Sequence, residues 1–313
     1  MQNSIFRLAV ASLIVIAAFG CARNADSTGK EPTIPDSPDG TVLAVAEALQ
    51  DNHAEVLWTA LPESYQSDIT EITKTFAEKM DPDVYDRVFA VFIRAVEVLD
   101  DRKDIILASE TFKSAGAETE EIRTGLSNTQ AFTETLKASE LATLEGLGSV
   151  NWEQFLATTG NEFLQHAKAI EAEEGENPLN DLDSLKVETV NVSEDKATLR
   201  ISSDDHEPED VEMTKVEGRW VPSDLANEWE KTMEEARQGL AEMTPETMAA
   251  QKTQIMMFIG MADGLIEQIA SLQTPEEFDA AIGPMLAGFI GGGMGDMGDD
   301  EEWDITEEDP EEE

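Results

Sequence analysis

Few side chains in this protein have the type and spacing that chemistry needs. Cys21 is its one thiol, and His53, His166 and His206 are its only imidazoles. The three histidines are scattered and form no His-Glu-x-x-His pair, so they read as solvated surface residues. No Gly-x-Ser-x-Gly elbow is present. The glycine-rich stretch 288–298 lacks the lysine and following helix of a phosphate loop, and it reads as a hinge. Carboxylates abound, with 67 Asp and Glu residues, so many pairs can meet in space and sequence singles out none with split pKa values. Two acidic runs, Asp204 to Glu209 and Asp296 to Glu301, can attract calcium diffusely, but neither has the spaced ligands and central glycine of an EF-hand. Lacking a nucleophile and an acid–base pair, the chain points away from an enzyme; no catalytic residue, cofactor or dedicated metal ligand is expected.

Cys21 ends an apolar leader. Arg7 is the leader's one cation, Leu8 to Phe19 is apolar apart from Ser12, and polar chain follows from Ala22. The run falls short of the about 20 residues that span a bilayer. A basic start, a short apolar core and a small residue before the cut make a secretory signal. The segment Ala18-Phe19-Gly20-Cys21 resembles the bacterial lipoprotein box, with Ala18 where leucine is commonest and the bulky Phe19 beside it. The resemblance implies that Cys21 is lipidated and becomes the first residue of the mature protein, held to a membrane by its lipid. Ala22, rather than Asp, follows the cysteine, which by analogy with lipoprotein sorting implies the outer membrane, facing periplasm or surface. The other reading is an ordinary cleaved signal with a stray thiol.

The formal net charge of −46 repels nucleic-acid phosphates and anionic headgroups. Nucleic acid is therefore excluded as a partner, whereas a basic protein is admissible. The same charge also serves simply to keep an exported protein soluble. With one cysteine there is no intramolecular disulfide, so packing alone must stabilise the body.

Residues 1–20 are thus the signal, and 21–40, rich in Pro, Ser, Thr and Asp, form a disordered tether. Residues 41–175 carry apolar side chains at helical spacing. Asp81-Pro82 and Asn151 with Gln154 mark helix starts. The period changes to two near residue 183. Leu185–Val192 carries a phase slip between Val187 and Val190 that predicts a bulge. Ala197, Leu199 and Ile201 alternate with polar residues, and Glu217-Gly218 predicts a tight turn before Trp220. Helices resume with Ser223, Thr244-Pro245 and Thr274-Pro275 as N-caps and continue to residue 290. Trp58, Trp152, Trp220 and Trp229 read as core, and Met243, Met248, Met256, Met257, Met261 and Met285 as core filler. Residues 291–313 hold a glycine hinge and then twelve acids without a base, a disordered tail. Trp303 and Ile305 lie among those acids as a docking motif for a basic partner.

The expected fold class is α+β, mostly α: a helical body, a small three- to four-stranded antiparallel meander, and C-terminal helices. The opening helical pair (Ala46-Glu47-Ala48-Leu49, Trp58, Leu61-Pro62, Tyr65-Gln66) and the meander ending Gly218-Arg219-Trp220 resemble bacterial lipoproteins of the nuclear-transport-factor-like (SnoaL-like, cystatin-like) superfamily. That resemblance covers about a quarter of the chain and departs through a long helical insertion before the strands and extra helices after them. It implies a curved sheet closed over helices around a cavity that some members use as an enzyme site and others do not. The expected role is a lipid-anchored, non-catalytic binding or scaffolding module, with a small-ligand binder or degenerate enzyme as the alternative.

Overall fold

The computed structural model describes residues 33–114, 119–174, 180–204, 206–282 and 284. The expected class holds: the protein is mostly helical, with one four-stranded antiparallel sheet and C-terminal helices.

The first helix, α1 (Pro38–Gln50), starts inside the stretch read as tether, because Ser37 caps it through the Gly40 N–H and Pro38 occupies its first turn. It ends in a Schellman motif. The Asn52 and His53 amides donate to the Leu49 and Ala48 carbonyls, with Asn52 at a left-handed φ of 62°. A single turn, α2 (Val56–Thr59), leads to α3 (Glu63–Lys79) and then to the long α4 (Pro82–Ala108), capped by Asp81. Ser109 caps the short α5 (Glu110–Ser114) through the Phe112 amide, and α6 (Thr119–Lys137) returns along α4.

After α7 (Leu144–Gly148), residues 152–174 form one helical segment with a π turn in its middle: α8 (Trp152–Phe155), the wide turn Leu156–Gly160, and α9 (Asn161–Glu174). The wide turn leaves a carbonyl in need of a donor. Asn161 supplies it, donating from Nδ2 to Ala157 O at 2.7 Å while its Oδ1 accepts the Ala54 amide at 2.6 Å. Two buried clusters result. Leu141, Trp152, Phe155 and Leu156 form one, and Ala48, Leu49, Ala54, Val56 and Leu164 bind α1 and α2 to α9 in the other.

Strands β1 (Lys186–Ser193), β2 (Lys196–Ser202), β3 (Glu209–Val216) and β4 (Arg219–Pro222) pair in sequence order, all antiparallel. The register slips between Thr189 and Asn191, where the period-two pattern predicts the bulge. Glu217 and Gly218 both have positive φ, 50° and 81°, as the tight turn between right-twisted strands requires. The inner face carries Ala197, Leu199, Ile201, Met213 and Trp220, packed with Val42 of α1 and with Leu185.

Three helices follow: α10 (Ser223–Glu242), α11 (Pro245–Ser271) and α12 (Pro275–Ala281). Ser223 differs from its expected role. It is the first helical residue, its hydroxyl is buried against that of Thr214 at 2.7 Å, and it caps nothing. Thr244 and Thr274 do cap their helices.

Candidate functional site

Cations are scarce, 21 Lys and Arg against 67 acids, and many of them hold helix ends or helix pairs. Lys168 donates to the Leu49 and Gln50 carbonyls at the C-terminus of α1, Lys79 to Leu240 O near the end of α10, and Arg102 to Ala270 O near the end of α11. Each places a positive charge where the helix dipole is negative. Helices α4 and α11 run in the same direction, joined by Lys252 to Asp81 and Asp83, by Arg87 and Arg94 to Asp263, and by Arg102. Helix α10 lies along α3. Trp229 stacks on the buried Tyr65 at 3.9 Å and donates its indole N–H to Asp68, whose other oxygen takes Arg237. Burial, followed by the Glu217 and Asp68 carboxylates, raises the Tyr65 phenol above its ordinary pKa.

The carboxyls with displaced pKa values are latches and caps. The Lys252 hydrogen bond and then the Val84 amide hold Asp81 low. The Arg123 guanidinium does the same for Asp104. Thr111 and the Glu110 amide do so for Asp279, which spans the first turn of α5.

The Asp81–Lys252 latch predicts an acid dependence. The folded carboxyl has the lower pKa, so its contribution is fully present above the ordinary value of about 3.9 and is lost as pH falls through the lowered one. Lys252 is raised, so its share is present below its ordinary value of about 10.4 and is lost as pH rises through the raised one. Asp81→Asn is therefore expected to flatten the fall in thermal midpoint between about pH 5 and pH 3. An unchanged slope in a pH series of melts would contradict the latch.

Two histidines depart from the surface reading. His53 Nδ1 lies 2.7 Å from Glu55 Oε1, with the two side chains 21% and 15% exposed, and Glu55 Oε2 lies 3.5 Å from the Asn161 amide beside the π turn. His166 Nε2 sits 3.2 Å from the Thr135 hydroxyl, and its ring lies 5.5 Å from Phe132. His53 is drawn inward where the turn between α1 and α2 meets α9, and His166 where α9 meets α6, which the local sequence around a lone histidine does not reveal. Each is part of a joint, α1–α2 with α9 in one case and α6 with α9 in the other. His206 is exposed, and Asp204 of the same loop pairs with Lys186 at 2.7 Å. Among the described residues no three His, Cys, Asp or Glu side chains converge as a metal site.

The tryptophans expected in the core divide. Trp152 and Trp220 are buried, whereas Trp58, at the edge of a cluster, and Trp229, stacked on Tyr65, are half-buried. The methionine expectation needs correction. Met248 is buried, but Met257 and Met261 are 56% and 62% exposed, together with Phe258 on the same helix and Val88 and Phe92 on α4. These helices turn one apolar side toward each other's neighbours and leave part of it uncovered. Cys21, Met285, Trp303 and Ile305 lie outside the described residues, and no helix among the described residues is long and apolar enough to cross a membrane.

No family model, no curated protein and no solved structure matches this chain.

Proposed function

We propose that this protein is a lipid-anchored module of the cell envelope that binds or scaffolds and does not catalyse a reaction. Cys21 holds it to a membrane, the outer membrane by the residue that follows, and its acidic surface and the Trp303–Ile305 motif engage a basic protein. The observation that carries this reading is the filled inner face of the sheet. The alternative, a ligand pocket between sheet and helices, needs room where Leu199, Ile201, Met213 and Trp220 are packed together with Val42. The displaced carboxyl pKa values support the same reading, since each belongs to a cap or latch.

Cys21→Ser is expected to move the protein from the membrane fraction to the soluble fraction, and intact-mass analysis of the native protein should find acyl chains on a mature N-terminal cysteine. An unmodified N-terminus at another residue would refute the anchor. The binding reading is checked by capture from envelope extract. A basic partner should be retained at low salt and released as exposed charges are screened, with a Debye length of about 8 Å at physiological ionic strength. A small envelope metabolite that raises the thermal midpoint of the folded body would instead favour the ligand-binding alternative.

A further inference from the structure

The uncovered apolar side of α4 and α11 is continuous with a covered one. On α11, Phe258, Met261, Leu265 and Ile269 recur at spacings of three and four and so share a face. On α4, Val88, Phe92, Leu99 and Ile106 recur at spacings of four and seven and so also share a face. Both faces enter one cluster, where Ile106, Leu272, Phe278 and Ile282 are buried with Leu99, Leu265 and Ile269 packed against them. Helix α12 supplies Phe278 and the residue at its C-terminal cap supplies Ile282, so together they cover the later half of each face. The earlier halves stay open: Phe92 is 48% and Phe258 53% exposed.

We infer that residues 285–290, Met285-Leu286-Ala287-Gly288-Phe289-Ile290, dock on this open half and complete the cover that α12 begins. Three observations select this occupant. Three residues separate the segment from the end of α12, and Pro284 just before it is again helical, in the residue type that starts a helix. Its large side chains, Met285, Leu286, Phe289 and Ile290, extend the apolar spacing of Phe278 and Ile282, and the apolar run stops at Gly291, before the acids. The reach also fits. Phe258 lies seven residues before Leu265, about 10 Å along α11, while six residues span about 9 Å as helix and about 20 Å extended.

Methionine oxidation tests the docking, because peroxide attacks exposed thioethers faster than covered ones. In the full chain, and equally in a chain ending at Ile290, Met261 and Met285 should oxidise at least about tenfold slower than free methionine. Leu286→Asp with Phe289→Asp should bring Met261 to the free rate. Phe258→Asp, a change at a position exposed in the folded body, should expose Met285 from the other side of the contact, so the result does not depend on one variant folding. The acidic tail is not part of the contact, so ending the chain at Ile290 should leave the thermal midpoint unchanged. Met261 or Met285 oxidising at the free rate in the full chain would overturn the inference. So would protection that grows with protein concentration, which would assign the face to a second copy.

Discussion

Trp220→Ala is expected to cost about 3–5 kcal/mol of stability. The side chain is 4% exposed and packs with Leu199, Ile201 and Met213, so truncation leaves a cavity at the centre of the only sheet among the described residues. Two features of the site shape the expectation. The Lys215 ammonium lies 5.6 Å from the ring centroid and loses this cation–π contact, worth about 0.5–1 kcal/mol, while keeping its pairing with Asp36. The indole N–H is buried without a hydrogen-bond partner, and a buried unpaired donor costs about 1–3 kcal/mol. Trp220→Phe removes that donor while keeping most of the ring, so it should be far milder than Trp220→Ala. Urea unfolding of the three proteins checks both statements. A near-neutral Trp220→Ala would mean that the sheet's inner face is not the packed layer described above.

Gly146→Ala is expected to destabilise by about 3 kcal/mol or more, the upper end for forcing atoms into a packed site. A Cβ at this position would stand 2.0 Å from the Glu140 carbonyl oxygen, closer than any non-bonded contact allows. The obstruction is backbone and cannot rotate away. It cannot shift freely either, because both sides of the joint are tied to α4: Tyr85 Oη donates to Leu141 O at 2.8 Å, and the Leu144 amide donates to Asp86 at 3.1 Å. Leu141 and Leu144 are buried on either side. A strain of this kind should appear as a lowered denaturation midpoint with an unchanged slope. Gly239→Ala, where a Cβ meets nothing within 4 Å, serves as the control and should be neutral or slightly stabilising, since alanine favours the helix interior. Equal effects at the two glycines would contradict the joint.

Much of the local architecture is legible in the residues. Asp81-Pro82, Asn151, Thr244-Pro245 and Thr274-Pro275 start helices where their types predict, because a cap satisfies amides two or three residues away and needs nothing distant. The alternation of Ala197, Leu199 and Ile201, the slip at Val190 and the Glu217-Gly218 turn predict the meander for the same reason: strand period and turn chemistry are properties of adjacent residues.

The candidate surfaces were legible only in part. The methionine concentration in the last helices is visible in sequence, but burial of Met248 and exposure of Met261 depend on what lies across from them. Nothing near Lys252 in sequence names Asp81 as its partner, or places Asp263 between Arg87 and Arg94. Ser223 has the composition of a cap and becomes a buried hydroxyl pair, because Thr214 arrives from β3 and competes for it. His53, in the turn between α1 and α2, and His166, on α9 itself, leave the surface when α9 packs against that turn and against α6.

The sequence by itself determined the helices, their caps, the four strands and their turn, since each depends on groups within a few residues. Only the tertiary structure decided which helices run side by side, which scarce cations close them, which histidines are drawn inward, and that Gly146 has no room for a methyl. Those outcomes follow from contacts between residues far apart in the chain, whose pairing is chosen by shape and charge in the packed body rather than by any local pattern.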